Sequence, residues 1–126
     1  MKFLKKFKEI KGDASFRKFY RNKKNKSIIV YAKKEKKINL LTYDAVNKIL
    51  IKNKILAPKL ISQNYKKDYI EIEDLGKKTI FQILKEKKFN KYIIMMKVLR
   101  ILTKMQLIKD KKIKNFQNKS YQIKEY

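Results

Sequence analysis

Only two of the 126 residues of this chain are glycine and one is proline, so each glycine is expected to lie where the backbone must turn tightly or approach a second group closely. Glycine adopts unusual backbone conformations without steric cost and lets the backbone approach a second group closely. Gly12 opens a run of aromatic and basic residues, Pro58 lies near the middle of the chain, and Gly76 follows an acidic stretch. We therefore expect Gly12 and Gly76 to mark turns on which the fold depends.

The charge of the chain is strongly positive, since 36 Lys and Arg against 11 Asp and Glu give a formal net charge of +25. Such a charge attracts nucleic acids and anionic lipid surfaces whatever the fold, so non-specific affinity for polyanions is expected. Only Arg17, Arg21 and Arg100 are arginine, however, and base recognition favours the planar guanidinium. Two interpretations stay open: selected polyanion binding, or solvated lysines in a chain whose Ile and Asn content is typical of an A/T-rich genome.

Several classes of chemistry are excluded by residue types that the sequence lacks. It has no cysteine, which excludes disulfides, thiol nucleophiles and cysteine metal sites. It has no histidine, the commonest general base and metal ligand. The basic N-terminus is not followed by the apolar core of a signal peptide, and no stretch reaches the length of a membrane span. The sequence thus predicts a cytoplasmic protein without a membrane span, and its 44% hydrophobic content argues against disorder.

Hydrophobic periodicity predicts an α+β fold. Strands are expected at 16–20, 27–32, 55–62 and 67–73, and helices at about 39–53, 79–87 and 91–109. Residues 1–11 suit either a short helix or an irregular first strand, and residues 111–126 have no period and are expected to form a loop. This order suits an antiparallel sheet with one packed helix, followed by helices of a second layer.

Three finer expectations concern side chains within these elements. Asn39 is expected to be the N-cap of the first helix. Ile70 and Ile72 alternate with polar neighbours, which predicts a strand with one wetter face. Apolar residues line one side of the last helix, and we expect this stripe to be core or an interface between lobes. The stripe consists of Met95, Val98, Leu99, Leu102 and Met105.

Two motifs resemble those of one family of kinases. The run Gly12-Asp13-Ala14-Ser15-Phe16-Arg17-Lys18-Phe19-Tyr20-Arg21 resembles the nucleotide-loop signature of aminoglycoside-phosphotransferase-like kinases, in particular the bacterial anomeric kinases of N-acetylmuramate and N-acetylglucosamine. The run Ile70-Glu71-Ile72-Glu73-Asp74-Leu75-Gly76 resembles their strand leading into the hinge between lobes. Between the motifs, Ile29-Val30-Tyr31-Ala32, a helix and Ala57-Pro58-Lys59-Leu60 follow in the family's order. The resemblance spans about residues 8–110 and implies a protein-kinase-like N-lobe followed by the first helices of a truncated C-lobe.

The resemblance implies an ATP site made by these two motifs. Asp13, Ala14 and Ser15 would cover the phosphates, with Arg17 as their charged partner. The backbone of residues 73–75 would hydrogen-bond the adenine edge, and the following glycine would turn the chain into the helical lobe. The candidate nucleotide-binding residues are Gly12, Asp13, Ala14, Ser15, Phe16, Arg17, Arg21, Glu73, Asp74 and Leu75.

The residue types suit this chemistry on physical grounds, although each motif has an alternative. A tight turn between antiparallel strands presents N–H groups and the Ser15 hydroxyl to an anion. Arg17 and Arg21 are an even number of residues apart on the predicted strand, so both can face the same side. The alternative for this motif is an ordinary hairpin with solvated arginines. The alternative for the second motif is a helix-entry turn, in which Glu73 and Asp74 favour the positive end of a helix.

The sequence departs from the family pattern in two respects. Kinases usually pair a third-strand lysine with a helix carboxylate to hold the phosphates. Tyr31 lies about where that lysine would be, Lys33 and Lys34 lie in the loop beyond, and Asp44 is the only acid on the following helix. Whether Asp44 pairs with a cation or is solvated stays open. The family's catalytic base and Mg²⁺ ligands lie in a His-x-Asp segment of the C-lobe and an Asp beyond it, and this chain has no histidine, so we name no catalytic residue or metal ligand.

The sequence therefore predicts a nucleotide-binding lobe with its hinge at residues 1–76 and the incomplete start of a helical C-lobe at 77–126. By resemblance, the nucleotide is ATP, Mg²⁺ belongs to the full-length family, and the parent reaction transfers a phosphoryl group to a sugar or amino-sugar hydroxyl. The alternative is a small basic nucleic-acid-binding protein, in which Phe16, Phe19 and Tyr20 stack on single-stranded bases. A regulatory lobe that binds a protein partner is a third alternative.

We expect residues 1–126 alone to have no kinase activity, because phosphoryl transfer depends on positioning and metal electrostatics that the named residues do not supply. A coupled assay of ATP turnover, with N-acetylglucosamine and N-acetylmuramate as acceptors, measures this. Turnover that depends on the added sugar would contradict the expectation.

Overall fold

The computed structural model describes residues 2–11, 16–109 and 111–123, which form an α+β fold around a five-stranded antiparallel sheet. The strands, in the sheet order β1-β2-β3-β5-β4, are β1 (Lys8–Ile10), β2 (Arg17–Asn22), β3 (Ser27–Ala32), β4 (Leu60–Asn64) and β5 (Tyr69–Glu73). The helices are α1 (Ile38–Lys52), α2 (Ile80–Lys85) and α3 (Lys91–Gln106), and a separate two-stranded sheet consists of β6 (Lys112–Lys114) and β7 (Ser120–Gln122). Short 3-10 helices span Lys2–Lys6, Lys34–Lys36 and Tyr65–Lys67. The predicted α+β class is confirmed.

One face of the sheet, the inner face, packs against α1 and forms the main core. Because successive side chains of a strand alternate between faces, β3 and β5 each contribute every second residue to this core. Its buried members are Ile28, Val30, Ala32, Leu40, Ile70 and Ile72. The predicted bounds of β3 are those observed, and the predicted alternation in β5 is confirmed.

The first helix lies within one residue of its predicted bounds, but its predicted N-cap is wrong. Asn39 lies inside α1, and its side-chain amide donates to the carbonyl oxygen of Lys36 at 2.9 Å. The 3-10 helix at Lys34–Lys36 runs almost directly into α1, so the helix starts after Lys37 without a side-chain cap. An N-cap residue has a non-helical backbone conformation. Asn39 is not an N-cap, because its backbone is already helical.

The segment between α1 and β4 is not the strand that its apolar residues predict. Residues 55–59 are irregular, and β4 starts only at Leu60. Pro58 has no backbone N–H to donate to a ladder, and Ile55 and Ala57 are buried outside the sheet. The apolar run therefore reflects core packing and not strand pairing.

The connection from β4 to β5 also differs from the prediction. Residues Tyr65–Lys67 form a 3-10 helix, and Asp68 ends it in the left-handed conformation with φ of 61°. The fifth strand therefore begins at Tyr69, two residues later than expected. At the N-terminus both alternatives occur, since the 3-10 helix at Lys2–Lys6 is followed by β1.

The C-terminal residues form a hairpin where the sequence predicts a loop. β6 and β7 pair antiparallel and return the chain to α1. Ile108, Ile113 and Ile123 pack with Ile49 and Ile55 in a second small core. Each strand has only three residues, too few to produce a visible period in the sequence.

Asp44 attaches this hairpin to α1. Its carboxylate is buried, accepts a hydrogen bond from the backbone N–H of Phe116 at 2.8 Å, and lies 2.8 Å from the ammonium of Lys48. The ring of Phe116 makes an edge contact with that of Tyr65, with centroids 5.8 Å apart. Asp44 is thus buried and not solvated. It pairs with Lys48, one helical turn further along α1, and not with a cation of the sheet.

The last two helices have regular N-caps. Thr79 and Gln82 form a reciprocal capping box at α2, which the sequence did not lead us to expect. The Asn90 side chain accepts hydrogen bonds from the backbone N–H groups of Tyr92 and Ile93 at the start of α3. Both helices end earlier than predicted, at Lys85 and Gln106 in place of 87 and 109.

The apolar stripe of α3 is not core in the part of the chain that the structure describes. Its residues Met95, Leu99, Leu102 and Met105 are between 41% and 51% exposed. The spacing of the stripe is helical as predicted, but these four side chains remain open to solvent. Among the described residues, no helix combines the length and the apolar character needed to cross a membrane.

We predict that Asp44→Ala lowers the free energy of unfolding by about 2 kcal/mol, because it leaves the N–H of Phe116 without its charged acceptor. Asp44→Asn keeps an acceptor oxygen in place and should recover most of this loss. Urea denaturation followed by circular dichroism measures both variants, with Lys48→Gln as the control for the loss of the ion pair alone. Equal stability of the alanine variant and the unchanged protein would contradict this role of Asp44.

Candidate nucleotide-binding cleft

The structure places the predicted site residues in three different situations. Gly12, Asp13, Ala14 and Ser15 lie outside the described residues. Phe16 precedes β2, and Arg17 and Arg21 lie on it. Glu73 ends β5, and Asp74 and Leu75 follow it. We refer to residues 73–76 as the hinge segment.

A cleft of about 310 Å³ lies between the inner face of the sheet and the hinge segment. Its floor is apolar and comes from Ile10, Phe19, Ile28, Tyr43 and Ile72. Its other wall is the backbone and side chains of residues 73–79, with Arg21 and Pro58 at its margin. An apolar cavity of about 300 Å³ or more with a few polar groups along one side is typical of small-molecule sites.

Arg21 joins β2 to the hinge segment. Its Nε donates to Oδ2 of Asp74 at 2.7 Å, and its Nη2 donates to Oδ1 at 3.1 Å. The same Nη2 donates to the carbonyl oxygen of Gly76 at 2.7 Å, and the Gly76 N–H donates to Asp74 Oδ1 at 2.9 Å. Both charged side chains are about 15% exposed. The hinge segment is therefore attached to β2 by a bidentate ion pair. The hydrogen bond from Gly76 to Asp74 closes a turn within the segment.

The surroundings of Asp74 change its acidity. Burial raises the pKa of its carboxyl group, but the hydrogen bonds from Gly76 and Arg21, together with the charge of Arg21, outweigh burial and hold the pKa below its usual value. The carboxylate is thus charged throughout the neutral range. Gly76 adopts φ of +110°, a conformation that side chains with a Cβ rarely adopt, so the predicted turn at this glycine is confirmed.

The backbone of the hinge segment is only partly occupied by hydrogen bonds. The Glu73 N–H donates to the carbonyl oxygen of Lys59 at 2.9 Å, and the Glu73 carboxylate accepts from the Lys59 N–H at 3.4 Å. The backbone N–H and C=O groups of Asp74 and Leu75 make no hydrogen bond to other described residues. These groups are the part of the hinge segment that can bind a polar ligand in the cleft.

Arg17 and Arg21 lie on the inner face at opposite ends of β2, with Phe19 between them. The predicted alternation is confirmed, since both arginines share a face with the core residues of β3. The guanidinium of Arg17 lies over the ring of Tyr43, 4.9 Å from its centroid. Four residues of strand separate the two arginines by about 13 Å. Arg17 therefore lies at the N-terminal end of β2, and Arg21 lies at the end next to the hinge segment.

Phe16 does not line the cleft. Its ring is 68% exposed, and the ammonium of Lys36 lies over it, 4.7 Å from the centroid. Tyr31 is also absent from the cleft lining, because it pairs with Lys18 on the other face of the sheet. Tyr31, which lies about where the kinases have their third-strand lysine, thus points away from the inner face.

None of the five residues of the cleft floor is among the nucleotide-binding residues expected from the sequence. Phe19 could have been placed there, since it lies between two arginines that alternate on one strand. Tyr43 has no local signal, because it reaches the floor only through the packing of α1 on the sheet. Among the described residues, no group of three or more acidic side chains assembles that could hold a metal ion.

We predict that Asp74→Asn lowers the free energy of unfolding at pH 7 by about 1 kcal/mol, because it weakens a partly buried, two-pronged ion pair. The folded pKa of Asp74 is depressed, so its contribution is complete above the unfolded pKa and is lost as the pH falls through the folded value. Urea denaturation between pH 7 and pH 2.5 should therefore show the two proteins converging in acid. Glu35→Gln, which removes an exposed acid, is the control, and a gap independent of pH would contradict this assignment.

Comparison of the chain with protein families, with curated proteins and with solved structures yields no match.

Proposed function

We propose that this chain is the nucleotide-binding lobe of an ATP-dependent phosphotransferase that acts on a sugar or amino-sugar hydroxyl. The observation that carries the proposal is the cleft between the inner face and the hinge segment. The floor of the cleft is apolar, and one wall carries the backbone N–H and C=O groups of Asp74 and Leu75, which make no hydrogen bond to other described residues. The guanidinium of Arg17 lies at the far end of β2, the strand that contributes Phe19 to the floor. This combination suits a ligand with a flat apolar head, a hydrogen-bonding edge and an anionic tail.

The adenine ring fits the hinge end of the cleft. Ile28 and Ile72 are cross-strand neighbours on the floor and offer apolar contact to one face of a flat base, and Phe19 extends this surface along β2. The N–H and C=O groups of Asp74 and Leu75 can pair with the donor and acceptor edge of the base. Arg21 does not contact the base in this proposal, because its guanidinium already holds Asp74 and Gly76.

In this proposal the phosphates extend from the cleft toward Arg17, which lies outside the cleft lining. A guanidinium there supplies a permanent positive charge with several donors in one plane. The predicted phosphate loop, Gly12 to Ser15, directly precedes β2 and would approach the same end of the strand. The separation of about 13 Å between Arg17 and Arg21 leaves room for a nucleotide that lies along the strand.

The fold supports the proposal at a coarser level. The antiparallel sheet carries one packed helix, α1, between its third and fourth strands, and its fifth strand runs into the hinge segment. This is the order that the resemblance to aminoglycoside-phosphotransferase-like kinases implies for an N-lobe. In this proposal residues 1–76 form that lobe with its hinge, and the chain contributes nucleotide binding while catalytic groups and Mg²⁺ ligands come from elsewhere.

We predict that the protein binds ATP more tightly than adenosine or triphosphate alone, measured by calorimetry in 0.3 M salt to screen non-specific attraction. Arg17→Gln should weaken ATP binding about tenfold by removing a charge-assisted hydrogen bond, and should leave adenosine binding unchanged. Leu75→Pro removes the backbone donor of the hinge segment and should weaken both ligands.

Two matched variants control this experiment. Leu75→Ala keeps the backbone N–H and should bind both ligands normally, and Lys104→Gln removes a distant charge from α3. ATP that binds no more tightly than triphosphate would contradict the proposal, because charge alone would then explain the binding. Unchanged ATP binding by both Arg17→Gln and Leu75→Pro would contradict it as well.

A further inference from the structure

The face of the sheet opposite the cleft, the outer face, combines aromatic rings with lysines. Tyr20 of β2 and Tyr31 of β3 are half-buried on this face, next to Phe7 from the N-terminal segment. They line a concavity of about 340 Å³ together with Leu4, Lys5, Glu9, Lys18 and Lys33. The proposed nucleotide site uses none of these side chains.

The N-terminal 3-10 helix covers one half of the outer face and leaves the other half open. Phe3 stacks on Tyr69 of β5 with ring centroids 5.2 Å apart, and Leu4 is buried. Tyr20 and Tyr31 lie beyond this cover, on the neighbouring strands β2 and β3. The strand register places Lys18 directly opposite Tyr31. Tyr20 is therefore the diagonal neighbour of Tyr31, about 7–8 Å away.

The positive charge of the outer face continues past this concavity. A second concavity, of about 280 Å³, shares Lys18, Tyr31 and Lys33 with the first and adds Phe16, Glu35 and Lys36. The ring of Phe16 is strongly exposed, with the Lys36 ammonium above it. The two concavities thus form one groove, the outer groove, in which aromatic rings alternate with ammonium groups. The acids that face it are Glu9, which lies 3.8 Å from Lys18, and Glu35.

We propose that the outer groove binds single-stranded nucleic acid, with bases stacked on Tyr20, Tyr31 and Phe16 and phosphates on Lys5, Lys18, Lys33 and Lys36. Aromatic rings beside a basic track are the recurring solution for binding single strands without sequence preference, because every base has a face that stacks.

The surface favours a nucleic acid over an anionic lipid layer. A helix or face that enters a membrane presents protruding aliphatic and aromatic side chains. In the outer groove, Leu4 is buried and both tyrosines are half-buried, so these residues present no protruding apolar side chain to a flat surface. Phe16 is exposed, but the Lys36 ammonium lies over its ring, which places a charge where a membrane-inserting ring would need apolar surroundings. The structure also corrects the set of aromatic residues expected for such a function: Phe19 is excluded, because it packs on the inner face.

The experiment uses the full chain and fluorescence anisotropy with labelled dT12 and with an abasic 12-mer of equal charge. At 0.15 M salt we expect dT12 to bind at least tenfold more tightly than the abasic strand, because only dT12 can stack. The double variant Tyr20→Leu/Tyr31→Leu should lose about tenfold in affinity for dT12 and little for the abasic strand. Tyr20→Phe/Tyr31→Phe keeps both rings and should bind normally, which separates stacking from a loss of folding.

Charge variants test the phosphate track independently. Lys18→Gln/Lys33→Gln should reduce the slope of log affinity against log salt by about 1.4, which corresponds to two phosphate contacts on a single strand. Lys97→Gln/Lys104→Gln on α3 makes the same change in net charge and should leave the slope unchanged. Glu9→Gln removes the acid beside Lys18 and should tighten binding two- to threefold.

Three results would overturn the proposal: equal affinity for dT12 and the abasic strand, equal slopes for the two lysine pairs, or tighter binding to vesicles of anionic lipid than to dT12. The test does not depend on the proposed ATP site, because its variants lie on the opposite face of the sheet. Loss of ATP binding in Arg17→Gln with intact dT12 binding, and the reverse in the tyrosine double variant, would separate the two sites.

Discussion

The alternation of side chains along β3 and β5, with one set buried under α1, is the constraint on which the rest of the structure depends. Ile28, Val30 and Ala32 can be buried on one side only if Ile29 and Tyr31 face the other. Pairing with β2 transmits this choice, so Arg17, Phe19 and Arg21 belong to the inner face and Lys18 and Tyr20 to the outer. A shift of register by one residue would exchange the contents of the cleft and the outer groove. Both proposed sites thus depend on which face of the sheet is buried under α1.

Much of the central fold could be predicted because its signals are local. β3 is a continuous run of β-branched residues, α1 repeats its apolar residues at helix spacing, and β5 alternates, so each was placed within one or two residues. The errors lie where tertiary contacts decide the outcome. Ile55 and Ala57 are apolar because they are buried in the core outside the sheet, and the C-terminal hairpin exists because it packs on Ile49 and Asp44. Neither contact leaves a pattern in the neighbouring sequence.

The candidate site was predicted in part for the same reason. Spacing on a single strand was enough to predict that Arg17 and Arg21 share a face. The scarcity of glycine in this chain indicated a turn at Gly76, where φ is positive. The sequence could not show that Arg21 is bound to Asp74, since the two residues are brought together only by the pairing of β2 with β3 and β3 with β5. It likewise could not show that Tyr31 faces away from the cleft. Electrostatic partners across strands require the register, and the register is a property of the whole sheet.

The attachment points of α2 and α3 have a mechanical consequence. The segment that carries these helices leaves the sheet at Gly76, where Arg21 holds it, and returns at Ile108, which is buried against α1. Because the segment is attached at both ends, a force on its helices acts on both attachments. Any molecule that grips the exposed apolar side of α3 would therefore apply force to the end of β2 and to the wall of the cleft. In this chain, a partner on α3 could thus influence the cleft through the backbone of residues 77–79, which line it, and through the Arg21 guanidinium that holds Gly76.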